Sequence, residues 1–197
     1  MSRVGYVAEE AAAGTSAAGM GATGGGHPAE DLVAQIRARR GGVLLNLDRT
    51  LLNSPPLALG WNGYLGAVRR ELLLPAKLRE LAICAVAVLN RADYEWEQHV
   101  PEWLRAGAGQ DQVRALRASA EDFENSDAFD AVEKAVLQLT LEMTRRVQVS
   151  EPTFERIRQA LGYRKREIVE LVGVIATYNM VSRFLVALEI DPESGQG

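Results

Sequence analysis

Residues 75–107 constrain the fold of this chain most, because they predict two helices joined by a turn of only a few residues. The first helix, PAKLRELAICAVAVLN, is apolar around much of its circumference, which indicates a central and buried position. A tight connection at residues 90–93 follows, and Asp93 is predicted to be the N-cap of the second helix. Such a short connection predicts that the two helices pack as an antiparallel hairpin.

Four side chains of this hairpin can hold or move protons: Glu80, Tyr94, Glu95 and His99. Glu95 and His99 are four residues apart and therefore share one helix face, where a carboxylate can fix the tautomer of an imidazole. Counted from the turn, Glu80 and His99 differ in height by roughly 5 Å, within reach of two side chains or one bridging water. The hairpin thus allows a Glu80–His99 acid/base pair. Two plainer interpretations stay open, in which Glu80 faces solvent and His99 is structural.

Metal and thiol chemistry are less well supported by the sequence. The face formed by Glu95, His99 and Glu102 could bind a metal, but it lacks the paired Glu-x-x-His motifs of di-iron bundles, so neither metal nor cofactor is expected. Cys84 is the single cysteine, which excludes an intrachain disulfide. We interpret it as a small core residue, because no second cysteine exists to resolve a sulfenic acid.

The rest of the chain predicts an all-α protein with a tail. Residues 1–26 are rich in Gly, Ala and Ser and predict a disordered, flexible tail, followed by a single all-helical domain over residues 27–197. No sustained alternation and no hairpin-turn motif indicates a strand. Pro101 predicts a kink or break near His99 and Val100, and Gly107 is the expected C-cap.

Charge and composition limit the classes of partner that this protein is expected to bind. The net charge is −4, and Lys and Arg are mixed with Asp and Glu along the chain, so neither nucleic acid nor a membrane surface is an expected partner. No run approaches the roughly 18–20 apolar residues of a membrane span. The lone cysteine and the lack of an apolar leader predict a cytoplasmic location.

The segment RELAICAVAVLNRADYEWEQHVPEWLRAG resembles the signature helix pair of the carboxymuconolactone decarboxylase family, which shares the alkylhydroperoxidase D-like fold. The matching points are residues 79–82, residues 94–96, His99 and the end at residues 106–107. The resemblance implies an alkylhydroperoxidase D-like helical bundle, here with an N-terminal helical arm. It also implies a homo-oligomer, a trimer or hexamer, with active sites near subunit interfaces.

The resemblance further distinguishes two branches of the family. The redox branch carries Cys-x-x-Cys-x-x-x-His with a Glu upstream, and these positions fall on Ala92, Glu95, His99 and Glu80 in this chain. The Glu and His are thus kept while both thiols are missing, which disfavours an alkylhydroperoxidase or peroxiredoxin-like activity. The decarboxylase branch also lacks the cysteine pair, and its chemistry is cofactor-free proton transfer around a carboxylated lactone.

The sequence therefore predicts a cofactor-independent acid/base lyase acting on a small anionic lactone or carboxylate. His99 is the expected general acid/base, Glu80 its partner or proton relay, and Glu95 and Tyr94 the groups that orient substrate. Two alternatives remain: a peroxidase-like oxidoreductase using Cys84, and a non-catalytic, ligand-binding helical oligomer. Arg79 or Arg91 could bind a carboxylate of the substrate, but each is interpreted as a surface arginine.

Overall fold

The structure is a computed structural model that describes residues 2–8 and 28–193, with side chains described from Leu32 onward in the second range. These residues contain no strand. They form one 3₁₀ turn (Phe123–Asn125) and the helices α1 (Pro28–Arg40), α2 (Asn46–Leu51), α3 (Pro55–Arg70), α4 (Ala76–Asn90), α5 (Asp93–Arg105), α6 (Gln110–Ala118), α7 (Ala131–Arg146), α8 (Glu151–Ala160) and α9 (Lys165–Leu188). The predicted all-α class is confirmed.

The chain divides into two compact units, Met1–Glu71 with Leu188–Gly197, and Leu72–Ala187. In the first unit, α3 packs against α1 and α2. The buried Asp48 of α2 forms ion pairs with Arg39 and Arg40 at the end of α1, at 3.2 and 3.0 Å. Burying a carboxylate is costly unless it is paired, so these two cations explain its position. The prediction of one domain over residues 27–197 stays a prediction.

The start of the chain is attached to the first unit by hydrogen bonds. The Val7 amide donates to the carbonyl of Arg49 at 3.2 Å, and the Tyr6 hydroxyl donates to Asp191 at 2.8 Å. Residues 2–8 thus belong to the stretch for which the sequence predicts a flexible tail, yet they are held by specific bonds. The remainder of that predicted tail, from residue 9, lies outside the described residues.

The second unit is built around α4, which packs against α5, α6 and α7. Every residue from Leu81 to Ala87 is buried. A helix that is apolar on all sides belongs in a core, and its alanines keep its surface small where neighbours approach. The predicted central position of this helix is therefore observed within its unit.

Both ends of α4 are fixed. At its start, Glu170 of α9 accepts hydrogen bonds from the amides of Leu73 and Leu74, each at 2.8 Å. At its end, Arg145 of α7 donates to the Leu89 carbonyl at 2.9 Å. Because the helix is held at both ends, any side chain on it has a defined height relative to α7 and α9.

A turn of two residues joins α4 to α5. Arg91 adopts the left-handed conformation with φ of 55°, and the Ala92 amide donates to the Ala87 carbonyl at 2.8 Å. Ala92, rather than the predicted Asp93, is the N-cap of α5. The turn nevertheless produces the antiparallel hairpin that the sequence predicts.

Helix α5 is continuous through Pro101 to Arg105, so of the predicted kink or break near His99 and Val100 the break is wrong and the kink stays a prediction. An internal proline costs about 3 kcal/mol of helix stability. Buried His99 and Trp103 flank it on either side, and their packing outweighs that cost. Ala106, rather than the predicted Gly107, is the C-cap of α5. Gly107 is the next residue, and its φ of 100° is in the left-handed region that favours glycine.

Helix α9 has the length and hydropathy of a membrane-spanning segment. It has 24 residues, its most apolar window has a mean hydropathy of 1.7, and half of that window is buried inside the protein. The expectation that no run approaches a membrane span is wrong in this respect. The core helix of a soluble protein passes the same test, so length and composition alone are weak evidence for a span.

Candidate functional site

The hairpin brings Glu80 of α4 and His99 of α5 into direct contact. Glu80 Oε2 lies 2.7 Å from His99 Nδ1, and the bond is buried. The side chains are only 5% and 6% exposed. The interpretation in which Glu80 faces solvent is therefore wrong, whereas the interpretation of His99 as a structural residue stays open. The catalytic roles of these two residues stay predictions, but the chemistry they allow follows from this geometry.

Arg79 is the second hydrogen-bond donor to the Glu80 carboxylate. Arg79 Nε donates to Glu80 Oε1 at 3.0 Å, so each carboxylate oxygen has its own donor. Burial by itself raises the pKa of Glu80. The hydrogen bond and charge of His99, followed by those of Arg79, more than offset burial and leave the pKa below its ordinary value. Glu80 is therefore ionised at neutral pH.

The ionised carboxylate defines which nitrogen of His99 carries a proton. A carboxylate without a proton can only accept, so Nδ1 must hold the hydrogen of the 2.7 Å bond. Proton uptake and release then fall to Nε2, the other ring nitrogen. A buried carboxylate–imidazole pair of this kind has the arrangement of a general acid/base.

Tyr178 of α9 holds the imidazole from a second direction. Its ring meets that of His99 edge-on, with centroids 4.9 Å apart and planes at 87°. Tyr178 is completely buried, so this contact restricts the tilt of the imidazole about its bond to Glu80. Sequence reasoning missed Tyr178, because it lies in a distant helix and its spacing gives no signal of this contact.

Cys84 interacts with Glu80, but its thiol is expected to be unreactive. It is completely buried, and its pKa is raised well above the ordinary value by burial first, then by the charges of Glu80 and Glu95. A thiol that stays protonated is a poor nucleophile.

The two residues expected to orient substrate, Glu95 and Tyr94, are both buried in α5. Glu95 is 2% exposed. Successive helix residues point about 100° apart, so Tyr94 and Glu95 present their side chains in different directions. Their roles toward a substrate stay predictions. Ala92, also buried, occupies the turn.

No metal centre is found among residues 2–8 and 28–193, where no group of three or more His, Cys, Asp and Glu side chains could hold an ion. A cavity of about 360 Å³ opens elsewhere in the second unit. Its walls include Ala115, Phe123 and Phe129, and neither Glu80 nor His99 lines it. The acid/base pair and this cavity are therefore separate features.

Comparison with known families assigns the segment that contains the hairpin to a class. The model of the carboxymuconolactone decarboxylase family matches residues 55–141, a range that contains the whole hairpin. This segment belongs to the carboxymuconolactone decarboxylase family, as the resemblance predicts. No curated protein matches the chain significantly in sequence.

Solved structures agree on the fold. The debrominase Bmp8 has a TM-score of 0.70 and 18% identity, over 84% of this chain and 88% of that chain. An uncharacterized peroxidase-related protein from Silicibacter sp. has a TM-score of 0.69 and 18% identity, over 81% and 82%. A peroxidase-related protein from Ralstonia eutropha with the alkylhydroperoxidase AhpD core gives 0.65 and 17%, over 84% and 86%. At these identities the similarity shows the alkylhydroperoxidase D-like fold alone.

Proposed function

We propose that this protein is a cofactor-independent acid/base enzyme of the carboxymuconolactone decarboxylase type, acting on a small anionic lactone or carboxylate. The observation that carries the proposal is the buried 2.7 Å bond between Glu80 Oε2 and His99 Nδ1. A carboxylate and an imidazole enclosed together are costly unless their interaction is used or fully compensated. Perturbed, paired groups of this kind concentrate at functional sites.

In the proposed reaction His99 moves the proton and Glu80 stays charged. Nε2 of His99 takes a proton from the substrate and then returns it to the carbon that loses CO₂. As the ring becomes cationic, the Glu80 carboxylate stabilises the new charge across the short bond. Tyr178 supports the orientation of the ring through its edge-on contact.

A thiol peroxidase is the weaker alternative, although two of the solved structures with a similar fold are peroxidase-related proteins. The chain has one cysteine, and burial together with two carboxylates raises its pKa well above the ordinary value. A thiol cycle needs an accessible thiolate and a resolving partner. Cys84 offers neither, so oxidoreductase activity is not proposed.

The proposal includes a homo-oligomer, a trimer or hexamer, and a cytoplasmic location without nucleic-acid or membrane partners. Exposed apolar side chains on α9, including Val169 and Met180, support self-association. Light scattering of the purified protein measures the oligomer size. A monomer at micromolar concentration would contradict this part of the proposal.

The central experiment screens the purified protein against carboxylated lactones and hydroperoxides without added thiol. Glu80→Gln and His99→Ala should each reduce turnover of the lactone substrate about 10²–10⁴-fold, the usual contribution of a positioned acid/base. Glu102→Gln is the matched control, since this carboxylate is exposed on the same hairpin and pairs with Arg105. Near-normal turnover in both site variants, with circular dichroism unchanged, would reject the assignment in favour of a ligand-binding oligomer.

A further inference from the structure

We propose that Arg79 has two roles: its Nε positions Glu80, and its terminal Nη edge binds a carboxylate of the substrate. This inference rests on the proposed acid/base site and names the residue that recognises the anionic group. The sequence interpretation of Arg79 as a surface arginine does not account for where its side chain lies.

Arg79 contacts Glu80, its neighbour in sequence, in a way that helix geometry does not favour. Side chains at adjacent helix positions point about 100° apart and do not normally face each other. Arg79 nevertheless curls so that Nε reaches Oε1 of Glu80 at 3.0 Å. An arginine that only served solubility would extend into water, so this conformation indicates a specific position for the guanidinium.

The Arg79 side chain is more exposed to solvent than the other residues of the cluster. The Arg79 side chain is 17% exposed, compared with 5% for Glu80 and 6% for His99. Tyr178 and Cys84, also part of the cluster, are completely buried. Among these described members of the cluster, Arg79 has the most contact with solvent, and a ligand arriving from solvent would meet it first.

The two Nη groups of Arg79 are available to a ligand, because only Nε is used in the bond to Glu80. In the described part of the chain, the only group that Arg79 bonds is Glu80, through Nε. Neither Nη is among the fully buried side-chain atoms that lack a partner, so both keep some contact with water. Two adjacent N–H groups in one plane match the two oxygens of a carboxylate, which lysine cannot reproduce.

The charges make the two roles compatible. Arg79 and the ionised Glu80 nearly cancel, so the pair alone does not repel an anion. A carboxylate on the Nη edge would bind next to the Glu80–His99 pair, because Arg79 Nε contacts Glu80 and Glu80 contacts His99. The anionic group of the substrate would thereby be held beside the acid/base pair.

The experiment measures binding without turnover, using a butyrolactone carboxylate and plain γ-butyrolactone, the same ring lacking the carboxylate. Side-chain NMR of ¹⁵N-labelled arginine Nε–H groups and of ¹³C-labelled glutamate carboxyls reports on Arg79 and Glu80. We expect saturable shifts with the carboxylate and none with the plain lactone. Affinity should fall at least tenfold in Arg79→Lys and become unmeasurable in Arg79→Met.

The control variant is Arg105→Met, since Arg105 is exposed on the same hairpin and pairs only at the surface with Glu102. Its affinity should equal that of the wild type. Positioning has its own readout: the pKa of the Glu80 carboxyl should rise in Arg79→Met, in which His99 and Cys84 are the remaining titratable groups that interact with Glu80. A structural role alone would leave the carboxylate preference unchanged.

The outcomes separate this inference from the proposed function. Carboxylate affinity that is unchanged in Arg79→Met, or a wild type that fails to discriminate the two lactones, overturns the inference. An inactive protein that still binds the carboxylate through Arg79 overturns the enzymatic proposal and leaves the binding role of Arg79 standing.

Discussion

Glu80 and His99 are nineteen residues apart in sequence and share a 2.7 Å hydrogen bond across the α4–α5 hairpin. The bond exists because the two-residue turn sets both helices in register and both ends of α4 are held by other helices. Glu80 is ionised, so its charge makes the stability of this region depend on pH.

Stability should fall in acid because of Glu80. Its pKa in the folded state lies below the ordinary value of 4.5. Its stabilising contribution is therefore complete above about pH 4.5 and is lost as the pH falls through the folded-state pKa. Chemical denaturation at a series of pH values should show this acid-side loss in the wild type and a smaller loss in Glu80→Gln. Equal slopes in the two proteins would contradict the assignment of a depressed pKa.

Glu142 should be a second carboxylate whose contribution to the free energy of unfolding is lost in acid. Burial raises its pKa, but hydrogen bonds from Thr153 Oγ1 at 2.6 Å, the Ser150 amide at 2.7 Å and Gln138 lower it to about 2. These bonds tie the start of α8 to α7. Glu142→Gln should lower the free energy of unfolding by about 2 kcal/mol at neutral pH. The contribution should vanish between about pH 4.5 and about pH 2, whereas Glu97→Gln, at an exposed position of α5, should change stability little.

Cys84 should be unreactive in the folded protein. Because it is completely buried and protonated, Ellman's reagent should label it only at the rate of unfolding. Denaturant should accelerate the labelling by orders of magnitude, and the single cysteine makes the readout unambiguous. Cys84→Ala should turn over carboxylated lactones as the wild type does. Rapid labelling of the native protein would restore the thiol alternative.

The turn between α4 and α5 should tolerate and even favour glycine. Arg91 is exposed and has φ of 55°, a conformation that costs a residue with a Cβ about 1 kcal/mol. Arg91→Gly should therefore raise the free energy of unfolding by about 0.5–1 kcal/mol. Glu97→Gly, in the interior of α5, should lower it by about 1 kcal/mol. Thermal or urea denaturation compares the two variants directly.

Those features of the site that depend on local pattern could be predicted from the sequence. The apolar α4, the short turn and the similar heights of Glu80 and His99 are all properties of one continuous segment. A kink or break near His99 and Val100 was predicted, and the break is wrong because the proline rule considers only the helix itself, whereas buried His99 and Trp103 keep α5 continuous.

Two contacts of the site could not be predicted in this way. Tyr178 reaches His99 from α9, and nothing in the spacing of either helix records how α9 lies against α5. Arg79 bonds its neighbour Glu80, although helix geometry turns adjacent side chains apart. Both contacts depend on tertiary packing and side-chain conformation, which periodicity does not encode.

The two-residue turn at Arg91 and Ala92 also has a kinetic consequence. It makes the Glu80–His99 bond a short-range contact, and closing a short loop costs little entropy. Elements with local contacts form early relative to those that wait for distant segments. The acid/base pair should thus assemble before α9 docks, so that Tyr178 closes over an imidazole already bound to its carboxylate. Pulse-labelling hydrogen exchange would show amides of α4 and α5 protected ahead of those of α9.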